Sequence, residues 1–247
     1  SGFCRAASRR MLARMTIVSP RTALIVGVGD GLSASLARLL AAKGLALMLA
    51  ARDVAKLAPL AAATDGRTHA SDAGDAAQVE KLFAATDAAI GAPGLVVFNA
   101  SRRVRGGIAN LDPAEVEAAI RTTAFAGFLV AQQAARRMLA AGRGTILLTG
   151  ATASLKGYAQ SAAFAMGKFA LRGLSQSLAR ELHPKGVHVA HVVIDGGIRS
   201  ARRPPDPAAP DALLGPDALA EAYWQLAMQP PSAWASEIEL RPWVETF

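Results

Sequence analysis

The chain has very little cysteine. Cys4 is its only cysteine in 247 residues, which excludes an internal disulfide bond. This composition is typical of proteins in a reducing compartment, and we expect a cytoplasmic location. Long apolar runs are missing too, because the richest stretch, residues 32–50, is interrupted by Arg38, Lys43 and Gly44. A membrane-spanning helix needs about 18 apolar residues, so we expect no membrane partner.

Acidic residues are missing from the start of the chain. Five arginines precede the first one, Asp30, and contribute much of the formal net charge of +8. Other basic clusters, Arg102-Arg103-Arg105 and Arg202-Arg203, lie in predicted loops. This distribution does not favour a nucleic-acid partner. We interpret residues 1–20 as a flexible arm derived from a tag or from translated upstream sequence, and residues 21–247 as one domain.

Apolar segments of strand length alternate with segments of helical periodicity along the chain. The predicted strands are residues 22–26, 45–51, 67–70, 95–98, 145–149, 187–194 and 237–240. The predicted helices are residues 31–43, 54–63, 75–90, 113–140, 161–183 and 217–228, and residues 199–216 are a predicted loop or lid. Buried strands with helical crossovers predict a single-domain α/β fold: a Rossmann-type, doubly wound parallel sheet flanked by helices on both faces.

A glycine-rich turn follows the first predicted strand and precedes the first predicted helix. It reads Gly27-Val28-Gly29-Asp30-Gly31-Leu32-Ser33. Glycines allow the backbone to bend sharply and to approach a pyrophosphate, and the N-terminus of the helix favours negative charge. The position of the turn therefore favours a dinucleotide site, with Gly27, Gly29, Asp30, Gly31 and Leu32 as candidate contacts.

A second motif, Phe164-Ala165-Met166-Gly167-Lys168, lies in a predicted helix. A helical Tyr-x-x-x-Lys pair places a phenol and an ammonium one turn apart, where the ammonium lowers the phenol pKa. Here Phe164 stands at the phenol position. With this motif and the glycine-rich turn, residues 22–247 resemble the short-chain dehydrogenase/reductase family. The resemblance implies an oxidoreductase that binds a nicotinamide dinucleotide.

The resemblance also implies cofactor contacts after several other strands. The family binds adenine after its third strand, has an Asn-Ala-Gly segment after its fourth, and binds the nicotinamide amide after its sixth. The matching positions here are Asp72, Ala73, Asn99, Ala100, Ser101, Thr149, Lys168, Asp195, Gly196 and Ile198.

The end of the second predicted strand bears on the choice of cofactor. An acid there would bind the ribose hydroxyls, whereas a nearby base would accept a 2′-phosphate. Ala51 stands where NAD-binding members of the resembled family carry the acid, and Arg52 stands where NADP-binding members carry a base. Asp30 does not add to this argument, because NADP-preferring members often carry a base at its position. We expect NADP(H) rather than NAD(H).

The family uses four catalytic residues, and by resemblance only Lys168 is kept. Phe164 replaces the tyrosine, Ala151 the serine and Ala124 the asparagine, although a shift of one residue would put Thr152 at the serine position. Loss of a general acid typically costs about 10²–10⁴ in rate. We therefore expect slow carbonyl reduction, whereas Lys168 still serves to bind the nicotinamide ribose.

Three functions stay open at this point. The first is oxidation of NAD(P)H by a diffusible acceptor, such as a flavin or quinone, that needs no acid from the protein. The second is NAD(P) binding without catalysis, as a sensor or partner subunit. The third is a cofactor-free lyase similar to the halohydrin dehalogenases, which we disfavour because those replace the nucleotide turn and keep the serine and tyrosine.

Two further expectations concern residues outside these motifs. Tyr158 precedes the predicted helix and is a candidate stand-in for the missing acid, while His183, His188 and His191 have no spacing that indicates a metal site. The resembled family commonly pairs through its fourth and fifth helices and its last strand, so we expect a homodimer or homotetramer. The remaining partner is a small-molecule substrate or electron acceptor.

Overall fold

The computed structural model describes residues 19–200 and 203–245. Its strands are β1 (Thr22–Val26), β2 (Ala46–Ala51), β3 (Arg67–Ala70), β4 (Leu95–Phe98), β5 (Gly144–Thr149), β6 (Val187–Ile194), β7 (Gly197–Ile198), β8 (Leu213–Leu214) and β9 (Glu237–Leu240). Its α-helices are α1 (Leu32–Ala42), α2 (Ala58–Thr64), α3 (Ala76–Ile90), α4 (Pro113–Ile120), α5 (Ala126–Ala141), α6 (Ala162–Leu182) and α7 (Pro216–Ala227).

Seven of these strands form one parallel sheet in the order β3-β2-β1-β4-β5-β6-β9, and β7 and β8 pair separately. The strand order changes direction at β1: β2 and β3 lie on one side of β1, whereas β4 pairs with its opposite side and the later strands follow there. In open α/β sheets, the crevice for a ligand forms beyond the carboxyl ends of the strands at such a reversal. The predicted fold class is thus confirmed.

The five central strands of the sheet, β2, β1, β4, β5 and β6, are buried on both faces because they are apolar at most positions, whereas the edge strands β3 and β9 are more polar and more exposed. In β1, Ala23 and Ile25 join the core under α1 and α7, whereas Leu24 and Val26 join the core under α3, α5 and α6. Parallel strands with helical crossovers need this continuous apolar sequence. No helix within the described ranges is both long enough and apolar enough to cross a bilayer.

Helix starts follow local sequence signals. Asp75 caps α3 by accepting a hydrogen bond from the backbone N–H of Gln78 at 3.0 Å, and Asp112 caps α4 by accepting one from Ala114. Pro113 holds the first position of α4, where its missing N–H costs nothing.

The helix predicted over residues 113–140 is interrupted. A π-helical turn at Arg121–Phe125 separates α4 from α5. Inside it, the Thr123 hydroxyl accepts the backbone N–H of Arg102, and the Thr123 side chain fills the space beside Gly167. These tertiary contacts stabilise the extra residue of the turn, and helical periodicity carries no sign of them.

Two other predictions need correction. Residues 55–57 form a 3₁₀ turn before α2, so the helix predicted over 54–63 begins later. Residues 199–216 contain β8, which pairs with β7, and two-residue strands show no periodicity in sequence. Ala201 and Arg202 of that segment lie outside the described residues, as does most of the arm predicted at 1–20.

Candidate functional site

The glycine-rich turn crosses directly over the end of β4. Gly27 has a φ of +86°, and a Cβ at this residue would lie 2.4 Å from the backbone nitrogen of Ala100. Only glycine fits such a contact. A Cβ at Gly29 or Gly31 would meet no atom within 4 Å, so this part of the turn faces open space.

The start of α1 lacks a side-chain cap. Gly31 is its N-cap residue and makes no side-chain hydrogen bond to the first turn. The backbone N–H groups at this helix start are therefore available to an anionic group, which the helix dipole also favours.

Ser33 stands where the resembled family has its last glycine, and it links the turn to the sheet. Its hydroxyl donates to the Gly27 carbonyl at 3.2 Å and accepts from Asn99 Nδ2 at 2.7 Å. Asn99 thereby joins the end of β4 to the turn after β1. The serine is buried and bonded, so its departure from the family pattern leaves the turn intact.

A cavity of about 600 Å³ lies beyond the carboxyl ends of β1, β2 and β4. It brings together most of the predicted contacts: Gly27, Gly29, Asp30, Arg52, Asp72, Ala73, Asn99, Ala100 and Ser101. Leu32 needs a correction, because its side chain is buried in the core beneath α1 and leaves only its main chain near the turn. The sequence pattern does not show at which residue the turn ends and the buried face of the helix begins, so Leu32 was predicted together with the turn.

Three cations and three carboxylates line this cavity. Arg52, Lys56 and Arg38 all line it. The nearby Asp53 is paired with Lys56 at 2.8 Å, and this hydrogen bond lowers the pKa of the carboxyl. Arg38 was missed in the sequence, although it follows the lining residue Ala34 by one helical turn. Among the described residues, no carboxylate pairs with Arg38 or Arg52, so both are available to a phosphate.

A second cavity of about 870 Å³ adjoins the first, and Asn99 and Ser101 line both. Besides these two, seven further residues predicted as catalytic or cofactor contacts line it: Thr149, Ala151, Thr152, Phe164, Lys168, Gly196 and Ile198. Ala124 does not, because it lies in the π-helical turn at Arg121–Phe125. Asp195 is not among the lining residues either and lies behind Thr152.

Lys168 is buried beside Phe164. Its Nζ donates to the Thr149 carbonyl oxygen at 2.7 Å and lies 5.7 Å from the centre of the Phe164 ring. Burial, followed by the charge of Arg103, lowers the pKa of Lys168 to about 7. Near neutral pH this amine therefore exists in both the charged and the neutral form. It is not an ordinary exposed lysine.

The hydroxyl proton of Thr152 is already used in a hydrogen bond inside the protein. The hydroxyl donates to the Asp195 carboxylate at 2.5 Å, and the other oxygen of Asp195 is 3.0 Å from Arg241. A hydroxyl has one proton to donate, so Thr152 can offer only its lone pairs to a molecule in the cavity.

The two tyrosines of the chain have different environments. Tyr158 is half-exposed and lines the second cavity. Tyr223 is buried in the core, where its hydroxyl lies 2.8 Å from that of Thr149 and burial raises its pKa. Tyr158 is thus the one phenol that faces the cavity, and its role as a stand-in acid stays a prediction.

The histidines have structural partners. The His188 ring stacks on Trp234 with 4.9 Å between ring centres, and His191 Nδ1 lies 3.0 Å from Glu237. Burial lowers the pKa of both histidines to about 4. No group of residues suited to hold a metal ion occurs in the part of the chain that the structure describes.

These features fit a dinucleotide along the two cavities. The glycine-rich turn leaves space for a pyrophosphate over an uncapped helix start, Arg38 and Arg52 lie at one end, and Lys168 lies at the other. A buried lysine whose hydrogen-bond partner is a neutral carbonyl lowers the stability of the folded protein, and such residues occur preferentially where a ligand binds.

Comparisons with known proteins agree with this geometry. Residues 21–205 match the family described as short chain dehydrogenase. A crystal structure of a short-chain dehydrogenase from Rhodopseudomonas palustris is 39% identical, covers 90% of this chain and 98% of its own, and has a TM-score of 0.78. A metagenomic short-chain oxidoreductase in complex with NADP is 30% identical, covers 91% and 98%, and also scores 0.78. An uncharacterized oxidoreductase of Staphylococcus aureus is 25% identical over 92% of this chain and 100% of its own.

Proposed function

The chain belongs to the short chain dehydrogenase family, and we propose that it is an NADPH-dependent oxidoreductase that uses a diffusible two-electron acceptor rather than a simple carbonyl. The observation that carries this proposal is the pairing of a buried Lys168 with Phe164 in a cavity that adjoins the dinucleotide crevice. When bound, the nicotinamide group supplies a hydride.

The protein's own residues bind and shield rather than exchange a proton. Lys168 can donate a hydrogen bond to a ribose hydroxyl, and Phe164 contributes an apolar wall. Ala151 has no hydroxyl group, and the hydroxyl of Thr152 already donates its hydrogen bond to Asp195. A substrate oxygen that becomes an alkoxide would find neither the family's phenol at residue 164 nor a free hydroxyl proton at residues 151 and 152. A quinone or flavin, which can take its proton from solvent, avoids this need.

The preference for NADP(H) rests on charge at the far end of the crevice. Arg52 and Arg38 face the first cavity there, and the Asp53 carboxylate is paired with Lys56. A 2′-phosphate would bind two unpaired guanidinium groups. That a solved relative with 30% identity binds NADP supports the same choice.

The test is NADPH oxidation by the purified protein, followed at the cofactor's absorbance band, with panels of aldehydes and ketones, flavins and quinones. We expect turnover with at least one flavin or quinone, with weak or no turnover of simple carbonyls. The Lys168→Met variant should lose the activity. Efficient carbonyl reduction without flavin or quinone turnover would contradict the proposal.

A catalytically inactive NAD(P)-binding protein is the second candidate. It is favoured by the same lack of hydroxyl donors: Ala151 and Phe164 have no hydroxyl group, and the Thr152 hydroxyl already donates to Asp195. Tight NADPH binding without turnover by any acceptor in the panels would establish this alternative. A stable complex with an active relative would then identify a partner-subunit role.

We also propose a homo-oligomer that pairs through α5 and α6. Phe125, Phe128 and Leu139 on one side, and Met166 and Phe169 on the other, are at least partly exposed large apolar residues. A monomer rarely exposes such a group of side chains without a partner. Light scattering after size-exclusion chromatography should give a dimer or tetramer, and Phe169→Glu should shift it toward monomer.

A further inference from the structure

Three arginines of the second cavity have no acidic partner. Arg103, Arg105 and Arg203 line it, and none forms an ion pair with any described residue. Other arginines in the protein are paired, such as Arg102 with Glu115 and Arg172 with Glu237. The sequence showed these residues only as members of two basic clusters in loops, and the fold brings Arg103, Arg105 and Arg203 to one cavity.

Two of these side chains are held in place by the cavity itself. The Arg103 guanidinium lies 4.4 Å from the centre of the Phe164 ring, within the range of a cation–π contact. The Arg203 Nη1 lies against Gly197, where a Cβ would approach it to 2.5 Å. The backbones of Ser200 and Arg203 also bond reciprocally at 3.0 Å.

The charges of these residues oppose one another. Partial burial, and then the nearby Arg105 and Arg203, lower the pKa of Arg103. No aspartate or glutamate lines the cavity in residues 19–200 and 203–245, and the carboxylate of Asp195 is already paired with Arg241. A cavity with cations alone concentrates negatively charged small molecules and lowers its own repulsion when one binds.

We infer that the acceptor of this enzyme is an oxyanion-bearing molecule, one with a phosphate or carboxylate group that Arg103, Arg105 and Arg203 bind while its planar or apolar part lies against Phe164. This inference rests on the proposed function and names the class of its acceptor. The anion in question is distinct from the cofactor phosphates, whose turn and arginines belong to the first cavity. Guanidinium groups suit it because their planar donors match both oxyanions.

Flavin mononucleotide and riboflavin provide the matched probes. They share the isoalloxazine ring that accepts electrons and differ by one phosphate. Binding is measured by titration of flavin fluorescence without NADPH, and turnover by NADPH oxidation. For the intact protein we expect flavin mononucleotide to bind about tenfold more tightly than riboflavin, the loss typical of one charge-assisted hydrogen bond.

The variants separate a built site from general positive charge. Arg105→Gln should weaken flavin mononucleotide binding about tenfold and leave riboflavin and NADPH binding unchanged. Arg103→Gln should weaken flavin mononucleotide binding by a similar factor, but only its effect on the ratio between the two flavins counts, because Arg103 also contacts Phe164 and lowers the pKa of Lys168. Arg102→Gln is the matched control, because it removes a charge from the same loop at a residue already paired with Glu115. It should change neither flavin by more than about twofold.

Each outcome separates this inference from the proposed function. Equal binding and turnover of the two flavins would overturn the inference while the proposed function stood. An equal effect of Arg102→Gln and Arg105→Gln on flavin mononucleotide, or a parallel loss of NADPH binding in Arg105→Gln, would also overturn it. If neither flavin nor any quinone oxidised NADPH, the proposed function would fail, and the flavin titrations would still decide whether the cavity selects an oxyanion.

Discussion

Replacing Lys168 with methionine should stabilise the protein and weaken its cofactor binding. Methionine has a similar volume and no charge, so it fits the space around the buried amine. The lysine pKa falls from 10.5 to about 7 on folding, mainly because burial penalises the charged form. Such a residue is a cost in the free protein, and natural sites keep it for a ligand.

The size of the effect follows from proton linkage. A shift from 10.5 to about 7 corresponds to about 5 kcal/mol of lost stability when the group is fully protonated in both states. The lost hydrogen bond to the Thr149 carbonyl offsets about 1–2 kcal/mol. Lys168→Met should therefore be more stable than the unmodified protein by about 3 kcal/mol at pH 7.

The pH dependence gives an independent check. Because the folded pKa is below the unfolded one, the unfolded chain binds more protons between them, and stability rises with pH from about 7 to 10.5. Between pH 7 and pH 9, Lys168 should contribute about 2 kcal/mol of this rise. That contribution disappears in Lys168→Met.

Urea unfolding at pH 7, 8 and 9 measures both quantities, and NADPH fluorescence titration measures binding, which should weaken at least about tenfold. Lys185→Met is the control, since it removes an exposed lysine and should change stability by less than about 0.5 kcal/mol. A variant less stable than the unmodified protein at pH 7, or parallel stability profiles from pH 7 to 9, would refute the reasoning.

Three further predictions concern other parts of the molecule. Phe164→Tyr alone should raise carbonyl reduction less than about tenfold, because Ala151 still provides no hydroxyl to orient the substrate oxygen; a gain of a hundredfold or more in a steady-state assay contradicts the proposed site. Arg52→Glu should raise the KM for NADPH about tenfold and leave that for NADH nearly unchanged, and a parallel change for both cofactors argues against 2′-phosphate binding. Acid should destabilise the fold, because the pKa of His188 and His191 falls from 6.5 to about 4 on folding: we expect a loss of about 3 kcal/mol between pH 6.5 and pH 5 in urea unfolding, and a flat profile there rules it out.

Much of the fold could be predicted because the signals are local. Strands such as β2 and β4 are continuous apolar runs, and Asp75 and Asp112 cap their helices through neighbours three and two residues away. The π-helical turn at Arg121–Phe125 could not be predicted, since Thr123 stabilises it through contacts with residues distant in sequence. Family resemblance, rather than periodicity, predicted Lys168 as a cofactor-binding residue.

The site divides in the same way. Gly27 could be named from the sequence because a glycine-rich turn between a strand and a helix is recognisable, and Asn99 because it matches a motif of the resembled family. The parallel sheet places these two segments side by side, where Gly27 lies against Ala100 and Asn99 bonds to Ser33. Arg38 was missed because an arginine on an amphipathic helix has the same pattern whether it faces solvent or a cavity. Arg103 was noted only as one of a basic cluster.

The sequence by itself determined the parallel α/β sheet, the position of the nucleotide turn and the absence of a phenol at residue 164, because each depends on residue type and short-range order. Only the tertiary structure decided which groups contact the residues around that position, and how those contacts and burial change their pKa values. Burial brings the pKa of Lys168 to about 7, Asp195 accepts a hydrogen bond from the Thr152 hydroxyl, and two separate loops bring Arg103 and Arg203 to one cavity. Solvation and charge interactions depend on which groups meet in space, and residues far apart in sequence meet there only once the chain has folded.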